Sequence, residues 1–231
     1  MTVLVGLRER LEWLVEKARV RRLKYSDILG VMVKALYPSV LDNPYPMDVI
    51  EAVGALAEAV ASHPDNLVLM RGDVLQLVRG GYKPLLVDCL GLPEMYEVYS
   101  RIVERCNITA ISIRPYINSQ ALTQRFKKAF LSQTLAEIAK ELGASLYKSL
   151  DAILFREFSK PMNPEELLKL ADVKLGGMAR GLADDAIRSV RSIIVSDHGY
   201  DIYCENINGC RLAHGPKGRL SRIAPVVIVE C

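Results

Sequence analysis

Long hydrophobic runs, paired cysteine motifs and a large excess of charge are all missing from this chain. The best apolar candidate for a membrane span, residues 53–61, contains Glu58 and is far shorter than the roughly 20 residues that a span needs. The N-terminus has only a short apolar stretch before charged residues begin, which is not typical of a signal peptide. These absences predict a cytoplasmic protein that does not insert into a membrane.

The cysteine pattern excludes two common uses of sulfur. The five cysteines are Cys89, Cys106, Cys204, Cys210 and Cys231, and no two of them form a Cys-x-x-Cys motif. An odd number without that spacing argues against a zinc ribbon and against a secreted disulfide framework. Free, partly buried thiols are expected, with a local bridge between Cys204 and Cys210 as the alternative.

The overall charge does not identify a partner. The chain has 30 basic and 27 acidic side chains, which leave a net charge of +3. That is far from the concentrated positive field of an obligate nucleic-acid binder. One local cluster of cations lies near the N-terminus and consists of Lys17, Arg19, Arg21, Arg22 and Lys24. It is interpreted as a solvated helix face, with binding of a protein or nucleic-acid partner as the alternative.

The spacing of apolar residues along the chain changes near Gly80 and Gly81. Residues 1–80 have apolar positions at helical spacing, interrupted by prolines, and are predicted to form a helical N-terminal region. In residues 81–231, apolar strands alternate with amphipathic helices, which is typical of βαβ units. The predicted fold class is α/β, with a mostly parallel sheet flanked by helices and a helical N-terminal part.

The same patterns set the expected elements. Strands are predicted at residues 84–88, 108–113, 152–156, 192–197 and 225–229. Helices are predicted at residues 47–62, 93–105, 120–142, 164–172 and 180–190.

Acidic and histidine side chains follow two of the predicted strands. Asp88 ends the first strand, and Asp197 and His198 end the fourth. Open α/β sheets collect ligands at the carboxyl ends of their strands, so these side chains are expected at one edge. His214 lies beyond the fourth strand and can fold back over that edge. Carboxylate and imidazole ligands predict a divalent metal site for Zn²⁺, Mn²⁺ or Mg²⁺.

A hydroxyl and several cations could complete a site for phosphoryl transfer. Ser119 follows the second strand and is the candidate nucleophile, activated by a metal or a base. Its alternative role is to cap the helix that begins near residue 120. Lys217, Arg219 and Arg222 are candidates for binding phosphate, with ordinary solvated loop charges as the alternative.

Three short motifs carry a family resemblance. The segments LLVDCLG at 85–91, NS at 118–119 and SDHGY at 196–200 resemble the alkaline phosphatase superfamily, and within it the PglZ-type domains. The resemblance covers roughly residues 83–231. It implies a sheet flanked by helices, one or two divalent metals, and hydrolysis or transfer of phosphate, sulfate or related esters. By position, Asp88, Asp197 and His198 match metal ligands of the superfamily, and His214 resembles its late histidine.

The chain departs from the family's pattern at the nucleophile. Many members place a threonine or serine three residues after a proline, and Asn118 occupies that position after Pro115. An amide cannot attack phosphorus, so catalysis would need Ser119 one position later.

A second departure concerns the second metal. No histidine lies between Ser119 and Asp197, where two-metal members place an aspartate and a histidine. Only carboxylates can substitute there, and the candidates are Asp151, Glu157, Asp184 and Asp185. One metal site is expected, and a second only if such a substitution occurs. The predicted function is hydrolysis of phosphate esters, with a catalytically degenerate binding or regulatory module as the alternative.

Overall fold

A five-stranded sheet with helices on both faces organises the chain. The computed structural model describes residues 2–107, 109–206 and 209–231. The strands of the sheet are β1 (Lys83–Val87), β2 (Ala110–Ile117), β3 (Ser145–Tyr147), β4 (Arg191–Ser196) and β7 (Ile223–Glu230). Two further strands, β5 (Asp201–Asn206) and β6 (Gly209–Ala213), form a separate hairpin. The strand order in the main sheet is β2-β7-β4-β1-β3.

Helices fill the N-terminal third and most connections between strands. The first are α1 (Thr2–Val20), α2 (Tyr25–Leu36), α3 (Met47–Ala61) and α4 (Leu67–Arg79). The later ones are α5 (Leu92–Arg105), α6 (Thr123–Ala129), α7 (Leu135–Leu142), α8 (Ser149–Phe158), α9 (Pro164–Ala171) and α10 (Gly177–Ile187). A π-helical turn (Asp172–Gly176) joins α9 to α10, and a 3₁₀ turn (Leu220–Arg222) precedes β7. Among these described helices, none has both the length and the apolar character that crossing a membrane requires.

Strand β7 makes the sheet mixed, so the prediction of a mostly parallel sheet is wrong. β1 pairs in parallel with β3 and β4, whereas β7 pairs antiparallel with β2 and β4. In the described residues, the connection from β4 to β7 contains the hairpin and no crossover helix, and a parallel return would need such a crossover. β2 and β4 are both antiparallel to β7, so they run in the same direction as each other, and β1 and β3 are parallel to β4. Strands β1 to β4 therefore share one direction. Their carboxyl ends therefore lie at one edge.

Most predicted elements are found, with two exceptions. The predicted strands at 84–88, 108–113, 192–197 and 225–229 correspond to β1, β2, β4 and β7, although residue 108 lies outside the described residues. The strand predicted at 152–156 is wrong, because this segment belongs to α8. Its buried residues Leu150, Leu154 and Phe158 recur every four positions, which is a helical period.

The second exception is the long helix predicted at 120–142, which is interrupted. α6 ends at Ala129, and α7 begins after Thr134, whose side chain accepts a hydrogen bond from the backbone N–H of Glu137. The Glu137 carboxylate accepts from the backbone N–H of Thr134 in return, which completes a capping box. The predicted helices at 47–62, 93–105, 164–172 and 180–190 correspond to α3, α5, α9 and α10.

Two hydrophobic clusters cover the two faces of the sheet. Alternate strand residues such as Leu86 and Val195 pack with α4, α6 and α7 on one face. Their neighbours, such as Leu85 and Val87, pack with α1, α2, α5 and α10 on the other face. The predicted boundary near residue 80 lies between α4 and β1. The cluster that contains Leu85 and Val87 includes residues from both sides of this boundary.

Two disulfides are present where free thiols were expected. Cys204 and Cys210 lie opposite each other in the β5–β6 hairpin and are bonded, as the alternative prediction proposed. Cys106 and Cys231 form a second bridge across a sequence separation of 125 residues. Cys89 is a buried free thiol. The Cys106–Cys231 bridge ties the segment after α5 to the C-terminal residue of the chain.

The two bridges should differ in their effect on stability. A crosslink lowers the conformational entropy of the unfolded chain and so destabilises it. The cost is about 5 kcal/mol for a closed loop of about 125 residues and about 2 kcal/mol for a loop of about six residues. We expect Cys231→Ser to lower the free energy of unfolding more than Cys210→Ser does, as measured by urea denaturation without reductant. An equal loss in the two variants would contradict this loop-length argument.

Candidate metal centre

Two neighbouring parallel strands deliver the acidic residues of the candidate site. In the β1–β4 pair, Val87 lies opposite Ser196, so the next residues, Asp88 and Asp197, leave the sheet side by side. Ligand atoms of Asp88, Asp197 and His198 all lie within 4.8 Å of one another. This buried group could hold a metal ion. The predicted meeting of these three residues at one edge is confirmed.

Asp197 is fully buried and uses only one of its two carboxylate oxygens in hydrogen bonds. Its Oδ1 accepts from the backbone N–H of Cys89 at 3.1 Å and of His198 at 3.0 Å. Its Oδ2 is buried without a hydrogen-bond donor and lies 3.3 Å from Nε2 of His198. The first oxygen therefore fixes the carboxylate, and the second remains available to a cation.

The imidazole of His198 is held in one orientation. Its Nδ1 lies 3.0 Å from the carbonyl oxygen of Gly199, which can only accept a hydrogen bond. Nδ1 is therefore the donor in this contact, and in the neutral ring Nε2 carries the lone pair. Second contacts of this kind fix the tautomer of metal-binding histidines.

Asp88 has a strongly perturbed acidity. Its backbone N–H donates to the carbonyl of Tyr147 at 2.8 Å, while its Oδ1 is buried with no hydrogen-bond partner. Burial, followed by the negative charges of Asp197 and Asp151, raises the pKa of Asp88 to about 7. A cation among these carboxylates would remove that repulsion.

The donor set fits a divalent cation. Oδ1 of Asp88 and Oδ2 of Asp197 are buried oxygens without donors, and leaving such atoms unpaired is costly. Nε2 of His198 lies 3.3 Å from that Asp197 oxygen, so three electron-pair donors come together at one point. Two carboxylates and one imidazole are ligands that Zn²⁺ and Mn²⁺ accept.

Asp151 and His214 form a second acidic and histidine pair beside this group. Nε2 of His214 lies 3.1 Å from Oδ1 of Asp151, and the His214 and His198 rings lie 4.4 Å apart between centroids. Nδ1 of His214 faces the carbonyl of Ala121 at 3.2 Å. Both ring nitrogens face acceptors, which favours the doubly protonated ring, and the pKa of His214 is raised, first by the hydrogen bond to Asp151.

The backbone around the group is strained at two positions. Cys89 follows Asp88 with φ of 68°, and Ala121 follows β2 with φ of 49°. Neither residue is glycine, and such conformations cost on the order of 1–3 kcal/mol each. Both support the site directly: the Cys89 N–H donates to Asp197, and the Ala121 carbonyl faces His214. Strain of this kind concentrates at functional sites.

The structure separates the roles of the polar residues after β2. The Asn118 side-chain amide donates to the backbone carbonyls of Asp197 and Leu122, both at 2.9 Å. The Ser119 hydroxyl donates to Asp65 at 3.1 Å. Thr123 places its hydroxyl 3.3 Å from Nε2 of His198. Asn118 is thus a structural link, Ser119 is engaged by Asp65, and of these three residues Thr123 is the one whose side chain contacts the candidate ligand His198.

The remaining candidates lie in other surroundings. Lys217 and Arg219 line a cleft of about 240 Å³ together with Tyr37 and Tyr203, so their phosphate-binding role stays a prediction. Arg222 donates to the carbonyls of Ala61 and Pro216.

The other carboxylates proposed for a second metal are in ion pairs: Glu157 with Arg156, Asp184 with Arg101, and Asp185 with Arg188. In the N-terminal cation cluster, Arg19 pairs with Glu16 and Arg21 with Asp48.

Comparison with known proteins adds no family assignment. No protein-family model matches the chain, and no curated protein matches it. The site must therefore be interpreted from its own geometry.

Sequence reasoning missed Thr123 and ranked Asp151 only among several carboxylates. Thr123 is the first residue of α6, four positions after Ser119, and nothing in its immediate sequence marks it. Asp151 was placed just before a predicted strand, whereas it lies in the first turn of α8. A helical period of four in residues 150–158 was the signal that could have corrected its placement.

The pairing of His214 with Asp151 makes a prediction for the metal-free protein. The hydrogen bond raises the pKa of His214 and lowers that of Asp151. The His214 contribution to stability is therefore present below the unfolded-state pKa and is lost as pH rises through its folded pKa. The Asp151 contribution is present above its unfolded-state pKa and is lost as pH falls through its folded pKa.

We expect Asp151→Asn to lower the pKa of His214, because the largest cause of its upward shift is removed. NMR titration of the His214 ring protons, with chelator present, measures this change. Asp184→Asn removes a carboxylate paired with Arg101 and serves as the control. An unchanged His214 titration in Asp151→Asn would contradict the pairing.

Proposed function

We propose that this protein is a metal-dependent hydrolase of phosphate esters, similar to the PglZ-type members of the alkaline phosphatase superfamily. The observation that carries the proposal is the convergence of Asp88, Asp197 and His198, with two buried carboxylate oxygens that lack donors. A Thr123 hydroxyl in contact with the same group supplies a nucleophile where the sequence motif supplied an amide. Carboxylates, imidazole and a hydroxyl together suit phosphoryl transfer.

Two ligand sets lie next to each other in this proposal. Asp88, Asp197 and His198 would hold one divalent cation, and Asp151 would contribute to a second, which His214 would join only after its Nε2 loses the proton shared with Asp151. When bound, such a metal acts as a Lewis acid that lowers the pKa of a nearby hydroxyl or water and offsets charge on phosphate oxygens. Zn²⁺, Mn²⁺ and Mg²⁺ are the ions to test first, because two of the first three ligands are hard carboxylates.

Thr123 is the proposed nucleophile in place of Ser119. Its hydroxyl contacts Nε2 of His198, whereas the Ser119 hydroxyl donates to Asp65, which also pairs with Arg125. The contacts of Asn118 hold the β2 end against the carbonyl of Asp197 and so keep α6 next to the ligands. The departure at Asn118 therefore leaves a hydroxyl available for attack on phosphorus.

A catalytically degenerate binding or regulatory module remains the second candidate. It is favoured by Asn118, whose amide fills a structural role at the position where the family places its nucleophile. The ion pairs of Arg19 and Arg21 reduce the free charge of the N-terminal cation cluster, which was the proposed surface for a partner. Measurable, metal-dependent turnover distinguishes the two functions.

Loss of Asp197 should abolish metal binding and activity together. We expect Asp197→Asn to weaken Mn²⁺ binding by at least about a hundredfold, because it removes a charged ligand, and loss of an outer contact alone costs about 10–100-fold at metal sites. Calorimetric titration with Mn²⁺, Zn²⁺ and Mg²⁺ measures binding, and hydrolysis of aryl phosphate mono- and diesters measures turnover. Asp184→Asn is the matched control and should behave as the wild type. Turnover that survives equally in Asp197→Asn would refute the proposal.

Loss of the Thr123 hydroxyl and loss of the Ser119 hydroxyl should have different effects on activity. Thr123→Ala is expected to lower kcat by at least about a hundredfold while metal binding remains, because the attacking group is lost. Ser119→Ala should change kcat by less than about threefold, because its hydroxyl contacts Asp65. The opposite order of effects would return the nucleophile assignment to Ser119.

A further inference from the structure

A buried carboxyl group lies between the N-terminal helices and the loops of the metal centre. Glu94, in the first turn of α5, is fully buried. Its Oε1 accepts hydrogen bonds from the hydroxyls of Tyr25 at 2.5 Å and Tyr200 at 2.8 Å, and the two hydroxyls lie 3.0 Å apart. We refer to Tyr25, Glu94 and Tyr200 as the Glu94 network. None of its members belongs to the proposed ligand set.

The network joins the two loops that carry the ligands. Tyr200 lies two residues after His198, and Glu94 lies three residues after the end of the 88–91 loop. A Cβ added to Gly91 would come within 2.4 Å of the Tyr200 ring and 2.8 Å of Oε2 of Glu94. Only a residue without a side chain fits at that position, so the 88–91 loop rests directly on the Glu94–Tyr200 pair.

Backbone contacts transmit this packing to the ligands. The Leu90 N–H donates to the carbonyl of His198 at 2.9 Å, and the Cys89 N–H donates to Oδ1 of Asp197 at 3.1 Å. A Cβ on Gly199 would lie 3.1 Å from the Leu90 carbonyl oxygen. The two loops therefore touch along their backbones, and a shift of Tyr200 would move both of them.

The third member connects the network to the N-terminal helices. Tyr25 is the first residue of α2 and is buried against the π-helical turn, where a Cβ on Gly176 would lie 3.1 Å from Cγ of its ring. Burial raises the pKa of Glu94 to about 7, while the two tyrosine hydroxyls favour its carboxylate form. Two hydroxyls donate to Oε1 of Glu94, and Oε2 has no donor. A buried carboxyl group that is only partly hydrogen-bonded is costly, so it depends on neighbours that hold both tyrosines in place.

We propose that Glu94, held by Tyr25 and Tyr200, is a positioning residue for the metal centre: it fixes the 88–91 and 197–200 loops against each other so that Asp88, Asp197 and His198 converge. This inference rests on the proposed function for the identity of the ligand set. The hydrogen bonds of the network join its three members to one another, and the network acts on the ligands through the backbone of the two loops. Its removal should change the metal affinity of a protein that remains folded.

The chain contains a matched control for this role. Tyr96 is also buried, lies on the same helix as Glu94, and donates its hydroxyl to the carbonyl of Leu23 next to α2. Tyr96→Phe and Tyr200→Phe each remove one hydroxyl that links α5 to a neighbouring segment, part-buried for Tyr96 and buried for Tyr200. A general packing role predicts similar effects, whereas a positioning role predicts an effect on the metal only for Tyr200→Phe.

The test compares wild type, Tyr200→Phe, Glu94→Gln and Tyr96→Phe as full-length proteins. Calorimetry gives the Kd for Mn²⁺, and amide hydrogen exchange in the metal-free proteins follows Cys89 and Leu90. We expect about a tenfold higher Kd for Tyr200→Phe, at the low end of the effects of outer contacts on metal sites. Exchange at Cys89 and Leu90 should be faster in this variant, and Tyr96→Phe should match the wild type in both measurements.

The outcomes separate the two proposals. Equal Mn²⁺ affinity and equal exchange in Tyr200→Phe and Tyr96→Phe would overturn the positioning role, even if the wild type hydrolyses phosphate esters. If the wild type binds no divalent metal, the proposed function fails, and the exchange rates at Cys89 and Leu90 alone decide whether the network positions the loops. If Glu94→Gln does not fold, Tyr200→Phe carries the decision.

Discussion

The pairing of β1 with β4 is the constraint on which the candidate metal centre depends. These strands are parallel neighbours with Val87 opposite Ser196, so the next residue of each, Asp88 and Asp197, reaches the same point beyond the sheet. A shift of one residue in this register would turn one carboxylate toward the opposite face, because side chains alternate along a strand. The buried residues Leu86 and Val195 prevent such a shift, since each would have to leave the cluster that covers its face.

The sequence predicted the main elements but not the direction of the last strand. Alternating strands and helices were sufficient for β1, β2 and β4, and their shared direction placed the polar residues correctly. The position of β7 depends on the connection from β4, where a hairpin takes the place of a crossover helix. A sequence pattern identifies an apolar strand but does not state which neighbour it pairs with, and here the pairing with both β2 and β4 is antiparallel.

The site was predictable to the extent that strand ends determine it. Asp88, Asp197 and His198 come directly after strands, and their meeting followed from that rule alone. Thr123 and Asp151 lie in the first turns of helices whose positions depend on tertiary packing, and their contacts with His198 and His214 could not be inferred from spacing. The strained turn at Ala121 illustrates the limit, because no local propensity favours an alanine with positive φ.

The electrostatics of the site set a competition between protons and cations. Burial and two neighbouring carboxylates raise the pKa of Asp88 to about 7, and the Asp151 hydrogen bond raises that of His214. Near neutral pH, protons thus relieve part of the repulsion among three buried or half-buried carboxylates. A divalent cation would take over that role and displace the protons, since metal ligands bind in their deprotonated forms. Metal binding would therefore strengthen as pH rises through the range in which Asp88 and His214 lose their protons.

The Glu94 network would matter most in this competition, because a proton tolerates small shifts of the loops, whereas a cation requires all of its ligands at fixed distances at once.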